Sequence, residues 1–348
     1  MNRKKLTVAV TGLNNIDSPG PGVPVIRALK ESRLYDIRII GLVYDTLEPG
    51  LYMHELVDKS YILPLPSSGQ EALVMRIRQI HKQEHIDVLI PNFDAELFGF
   101  IKLQSTLMQL GIKMFLPTVE QFEERQKWVL NEFGVKYGIR VPKGKVISSI
   151  SGIHELAYEF GYPIVVKGKF YEAVVAYTPD QAISAFTKIS AKWGLPIVVQ
   201  QFTPGTEVNL TGIADGKGNL IGAVPMRKTV ITDKGKAWAG ITLEDNELVS
   251  IARHFAAQTN WSGGFELEMI KTEQNEYLLI EINPRFPAWV YLAVGVGQNH
   301  PEALVRLALG ENVKPFDNYE TGKMFIRYSY DKIVDLKEFE LISTLGEL

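Results

Sequence analysis

The strongest constraint in this chain is the alternation of strand-like and helix-like segments over its first ninety residues. Leu6–Thr11 alternates apolar and polar residues into Gly12, and Val25 to Ser32 reads as a helix. Ile37–Tyr44 is rich in β-branched residues, and Glu71–Gln83 carries Leu73, Ile77 and Ile80 at helical spacing. Asp87-Val88-Leu89-Ile90-Pro91 is a short strand of the buried type. Strands separated by helices pair in parallel, and ligands of such sheets sit beyond the strand C-terminal ends. Gly12, Gly20 to Gly22 and Asp94 to Glu96 all follow strands, so each lies at that end. Ordinary turn chemistry explains the Pro/Gly loop (Ser18-Pro19-Gly20-Pro21-Gly22) equally well, and its spacing is not the G-x-G-x-x-G of a dinucleotide site.

From about Thr118 the pattern changes. A charged helix is expected over Glu120–Gly134, then a helix over Gly152–Phe160 and a strand, Tyr162–Lys167, that ends on a lysine. A helix around Asp180–Ser190 and a strand at Ile197–Gln201 follow. Long strands with hairpin signals at Asp215-Gly216 and Gln274-Asn275 fill Glu207 to Glu281, interrupted by a helix over Glu247–Thr259. This part is α+β with antiparallel sheets, and 348 residues leave room for two or three domains.

Composition excludes several chemistries. The chain has no cysteine, so it has no disulfide, thiolate nucleophile, Cys-held zinc or iron–sulfur cluster. A net charge of −3 speaks against a broad nucleic-acid surface, and no apolar run reaches the ~18 residues of a membrane span. A soluble cytoplasmic protein is the expectation, with neither nucleic acid nor membrane as partner. No G-x-S-x-G or Walker-type loop occurs. His81-Lys82-Gln83-Glu84-His85 spells an inverted zinc-protease signature, but at the polar end of a helix, where a solvated cap is expected.

The residues that carry chemistry lie toward the C-terminal end. Gly263–Met269 and Tyr277–Arg285 read as two strands joined by a polar hairpin. Alternation puts Glu281, Asn283 and Arg285 on one face, and Glu266 and Glu268 on one face of the partner strand. Carboxylates and an amide oxygen beside an arginine suit Mg²⁺ with nucleotide phosphates. Glu281-Ile282-Asn283-Pro284-Arg285 resembles the metal-binding strand of the ATP-grasp superfamily, in its carbamoyl-phosphate-synthase and biotin-carboxylase-like branch.

The resemblance covers roughly residues 6 to 310. It implies an α/β and α+β architecture: the ATP-grasp fold, preceded by a Rossmann-like pre-ATP-grasp domain. The expected boundaries are 1–117 for that domain, 118–199 for a small lid-bearing subdomain, 200–312 for a large subdomain with the metal site, and 313–348 for a short tail. It implies two nucleotide lysines, Lys127 ahead of Gly138-Ile139 and Lys167 at the end of its strand. Gln200, Gln201, Phe202 and Thr203 resemble the hinge that meets adenine, and Glu207 matches the ribose carboxylate. Glu268, Glu281 and Asn283 match the Mg²⁺ (or Mn²⁺) ligands, while Arg285, with Arg227 as a further candidate, would face the transferring phosphoryl group. Relatives follow the second lysine with a Gly-rich loop, whereas Gly168–Ala173 is short and holds one glycine. Either Lys169 supplies by charge what backbone N–H groups would have supplied, or the lid is degenerate.

The implied activity is ATP-dependent formation of an acyl phosphate from a small-molecule or peptide carboxylate, captured by an amine. The alternative is a nucleotide-binding regulatory or scaffold protein that has lost turnover. Asp94 and Glu96 are candidates for the acceptor pocket, and Phe286 and Trp289 either shape that pocket or pack. Many members of the superfamily are dimers, which makes a homodimer an expectation rather than a reading of these residues.

Overall fold

A computed structural model describes residues 3–14, 19–169 and 172–348; Ser18 of the Pro/Gly loop, and Phe170 and Tyr171 within the range 168–173, lie outside them. The alternation of the first third folds as a Rossmann-like sheet. Strands β1 (Lys4–Val10), β2 (Tyr35–Val43), β3 (Lys59–Ile62) and β4 (Val88–Ile90) lie in the order β3-β2-β1-β4, parallel throughout. Helices α1 (Gly22–Lys30), α2 (Gln70–Glu84) and α3 (Asp94–Gln109) follow β1, β3 and β4. Val8, Ala9, Val10, Ile39 and Ile40 are fully buried, as strands covered on both faces require. The loop from β1 into α1 crosses so closely that a Cβ on Gly22 would lie 2.1 Å from the Thr11 carbonyl oxygen, so only glycine fits. The connection direction reverses between β1 and β4, the point where α/β sheets open a crevice.

The chain divides into two compact units. The first comprises Met1–Val119, Leu210–Glu266 and Asn283–Leu348, and the second Glu120–Asn209 and Leu267–Ile282. The charged helix expected over 120–134 is broken. It becomes α4 (Val119–Glu124), a single 3-10 turn at Lys127–Val129 and α5 (Leu130–Tyr137). Gln126 takes extended angles (φ −64°, ψ 143°), which no α-helix accommodates. The second unit continues with β5 (Gly144–Ile147), α6 (Ser151–Phe160), β6 (Ile164–Lys167), β7 (Ala173–Ala176), α7 (Pro179–Trp193) and β8 (Ile197–Gln201). Its strands form an antiparallel sheet in the order β5-β8-β6-β7. Ile164, Val166, Ile197 and Val199 pack with Ile153, Leu156, Phe186 and Ile189 of the helices. Strand alternation then turns Val165, Lys167, Val198 and Gln200 to the opposite face.

The third sheet joins β9 (Thr206–Asp215), β10 (Leu220–Ile231), β11 (Ala237–Thr242), β12 (Ser262–Lys271), β13 (Tyr277–Asn283) and β14 (Met324–Ile326). Its order is β13-β12-β9-β10-β11-β14, and α8 (Asn246–Thr259) precedes β12. Asp215 builds the first hairpin turn, its Oδ1 accepting from Lys217 N and Asn219 N at 2.8 and 3.0 Å. At the second, Asn275 adopts a left-handed φ of 58°. After α9 (Tyr291–Gly295) and α10 (His300–Ala308), the segment expected as a short tail supplies β14 and α11 (Leu336–Leu345). It returns to β3, where Ser60 and Leu348 exchange two backbone hydrogen bonds and Ile62 N donates to the Gly346 carbonyl. Among the described residues, no helix is long and apolar enough to cross a membrane.

Candidate functional site

Lys167 ends β6 on the face turned away from the helices, and the second unit gathers charge around it. Burial pushes its ammonium down to about 8. Glu281 is the largest opposing influence, Lys127 lowers the value further, and Glu268 and Glu207 raise it. Lys127 pairs with Glu281, Nζ to Oε2 at 3.0 Å. The break at Gln126 sets up that pair, because it ends α4 and starts the turn that carries Lys127. Two lysines and three carboxylates from β6, the turn, β9, β12 and β13 thus share one electrostatic neighbourhood.

A lysine with a pKa of about 8 is largely protonated at neutral pH and loses its charge as pH rises through 8. On the nucleotide role that the resemblance implies for Lys167, affinity for metal-free ADP would fall above pH 8, by up to about tenfold per unit, until the complex's own higher pKa is passed. Calorimetric titrations from about pH 7 to about pH 9.5 check this, with Lys167→Met giving a flat profile. A flat wild-type profile contradicts it.

The expected hinge is already partly engaged. Gln201 N donates to the Lys143 carbonyl at 2.8 Å, Gln200 is buried opposite Val165 and Gly144, and Phe202 and Thr203 form an irregular link into β9, where Glu207 is half-buried. A cleft of about 180 Å³ beside this sheet is lined by Lys127, Trp128, Asn131, Lys145 and Val198, among others. Lys169 stands with its ammonium 5.1 Å from the centre of the Trp128 ring, a cation–π arrangement. Strand β7 returns antiparallel along β6. Gly168 N donates to the Glu172 carbonyl at 2.9 Å, β6 and β7 pair from Lys167↔Ala173 onward, and Glu172 is ion-paired with Lys192.

The first unit holds the other residues. Asn283 Nδ2 donates to Glu266 Oε2 at 3.1 Å, and Trp289 Nε1 donates to Glu266 Oε1 at 2.8 Å. Arg285 grips Asp94 with two parallel hydrogen bonds, Nε to Oδ1 at 3.1 Å and Nη2 to Oδ2 at 2.7 Å. Its Nη1 donates to the Phe286 carbonyl at 3.3 Å. Arg227 is exposed on β10, in register with Ile241. Glu96 is a fixture of the switch point: it accepts from Thr11 Oγ1, the Tyr44 hydroxyl, Asn92 N and Phe93 N. Burial nonetheless pushes its carboxyl up to about 7. Sequence reasoning missed the Asp94–Arg285 and Glu266–Trp289 pairs, whose members lie 191 and 23 residues apart. The zinc-type motif is structural, since Glu84 is bound by Arg38, the Tyr61 hydroxyl and Lys59. Among the described residues no group of three or more His, Cys, Asp or Glu is placed to hold a metal ion.

A family model described as ATP-grasp in the biosynthetic pathway with Ter operon matches residues 195–328. The carbamoyl phosphate synthase large chain of Agathobacter rectalis is 24% identical over 304 residues, 80% of this chain and 27% of that one. The phosphoribosylamine–glycine ligase of Synechocystis is 31% identical over 189 residues, 49% of this chain and 44% of that one. The chain thus spans less than half the length of either relative. The biotin carboxylase domain dimer of Hydrogenobacter thermophilus 2-oxoglutarate carboxylase, solved with MgADP, ADP and bicarbonate, matches with a TM-score of 0.71 at 16% identity, over 92% of this chain and 73% of that one. The fold is the ATP-grasp fold behind a Rossmann-like domain; residues 195–328 match an ATP-grasp family model, and the chain is similar to the carbamoyl phosphate synthase large chain.

Proposed function

We propose that the chain is an ATP-dependent ligase that activates a carboxylate as an acyl phosphate and joins it to an amine-type nucleophile, releasing ADP and phosphate. The observation that carries this reading is the pair Lys127 and Lys167 set among Glu207, Glu268 and Glu281. Lysines here would neutralise nucleotide phosphates as compact point charges. Glu207 would accept ribose hydroxyl protons, and Gln200 to Thr203 would border the adenine. The oxygen donors Glu268, Glu281 and the Asn283 amide fit Mg²⁺, which takes few carboxylates and completes its shell with phosphate oxygens. When bound, the ion would supply charge neutralisation at those oxygens. Arg285, already aligned by a carboxylate, would meet the acyl group or the phosphoryl being transferred; Arg227 has the weaker case, being exposed.

In this reading residues 1–117 shape the acceptor pocket and 118–199 form the lid-bearing subdomain. The antiparallel pairing of β6 with β7 favours a second reading, a nucleotide-binding regulatory or scaffold protein without turnover. Phosphate release separates the two. A ligase releases ADP and phosphate when a carboxylate and an amine are both supplied, and omission of either returns the rate to background. A protein that binds MgATP yet releases no phosphate across a broad set of acid–amine pairs is the scaffold instead.

A further inference from the structure

We propose that Glu266 is a positioning residue that sets which way round the Asn283 amide sits, so that Asn283 presents its oxygen to a divalent cation. This rests on the reading of Asn283 as a cation ligand. Glu266 is only 5% exposed, and Asn283 and Trp289 are buried with it. Trp289 is held in an apolar cluster with Met226, Ala237 and Leu292. Its indole N–H can only donate, and an ionised carboxylate can only accept. Glu266 therefore takes the Trp289 proton on Oε1 and requires a donor at Oε2, which the Asn283 amide nitrogen provides. With Nδ2 committed to Glu266, Oδ1 occupies the other branch of the amide and points away from it. A cation binds the oxygen of an amide and is repelled by its NH₂ group. Glu266 favours one orientation of the amide through the donor that it requires at Oε2. The wrong orientation would set two acceptors against each other in a buried site.

Glutamine at position 266 reverses the arrangement by the same logic. Trp289 still only donates, so the glutamine must turn its oxygen to the indole and its NH₂ to Asn283. Asn283 then accepts with Oδ1 and swings Nδ2 to the side where a cation would sit. The shape of the site is nearly unchanged, but its polarity is inverted. Adding Trp289→Phe removes the constraint that locks the glutamine, which is then able to offer its oxygen to Asn283 again.

The test is Mn²⁺ binding in the presence of ADP, read from the free-ion signal in electron paramagnetic resonance. The proteins compared are wild type, Glu266→Gln, Trp289→Phe and the double variant. Circular dichroism melts establish that each is folded, and metal-free ADP affinity by calorimetry establishes that the nucleotide lysines are intact. The expected result is Mn²⁺ affinity at least about tenfold weaker in Glu266→Gln, recovering to within about threefold of Trp289→Phe in the double variant. Wild-type Mn²⁺ affinity in folded Glu266→Gln overturns the proposal, and so does a loss that Trp289→Phe fails to reverse, since that marks plain damage to packing. Failure of the wild type itself to take up Mn²⁺ with ADP overturns the ligand reading of Asn283, and this proposal with it; the wild-type titration alone reveals that case.

Discussion

Glu281→Gln is expected to weaken MgATP binding by at least about a hundredfold, while leaving metal-free ADP binding undiminished. Truncating one partner of a desolvated charge pair costs roughly 2–5 kcal/mol. The Glu281 side chain is 29% exposed, so solvent screening puts the loss of a carboxylate–cation pair there toward the low end of that range. On the proposed ligand role, the loss falls on the cation, because glutamine would replace a charged oxygen donor with a neutral amide. Without metal the sign changes: Glu281 repels phosphate and occupies Lys127, so its removal helps an anion or leaves it unaffected. Calorimetry with and without Mg²⁺ measures both halves. Equal weakening in the two conditions would mean that Glu281 acts through Lys127 alone and that the metal role is misplaced.

A second large effect concerns the core beneath β12. Phe265→Ala is expected to destabilise the protein by about 3–5 kcal/mol, seen as a lower denaturant midpoint. The Phe265 ring is fully buried and lies 5.0 Å from the Phe255 ring and 6.3 Å from that of Trp261, centre to centre. It also fills the space over Gly212, where an added Cβ would come within 2.4 Å of the ring. Gly212→Ala alone is therefore destabilising as well. Combined with Phe265→Ala it should cost much less than the sum, because the clash disappears and the methyl occupies part of the cavity. Strict additivity in the double variant would contradict this packing. Phe265 directly precedes Glu266, so the same packing steadies the strand that holds Asn283.

What could be read from the sequence was what repeats locally. β1, β2 and β4 announced a parallel sheet through their apolar runs and helical spacers, whereas the four-residue β3 carried no such signal, and Asp215-Gly216 announced its hairpin through the turn chemistry of Asp and Gly. The lysine closing the Tyr162–Lys167 strand and the acidic residues of β12 and β13 were found by type and spacing. Partners chosen by tertiary structure left no such trace. Nothing around Arg285 points to Asp94, 191 residues earlier, and nothing around Glu266 singles out Trp289 as a donor. The break at Gln126 was hidden for a different reason. Phe122, Val129, Leu130 and Phe133 suit a helix throughout, and the interruption comes from a backbone angle that spacing does not encode. In the C-terminal segment β14 went unread because it has only three residues, too few for an alternating pattern to declare itself.

The pairing of residues 346–348 with Ser60 and Ile62 ties the history of the first sheet to the pace of translation. β3 is the outer strand of that sheet, and its open side is closed by Gly346 and Leu348, which are made long after it. At about 5–20 residues per second, ribosomes would take roughly 15 to 60 s to bridge that gap. Throughout that interval the emerging sheet has unpaired backbone groups along one side, the kind of surface on which nascent chains stick to one another. The brevity of β3, four residues beginning with Lys59, limits the exposed edge while it waits.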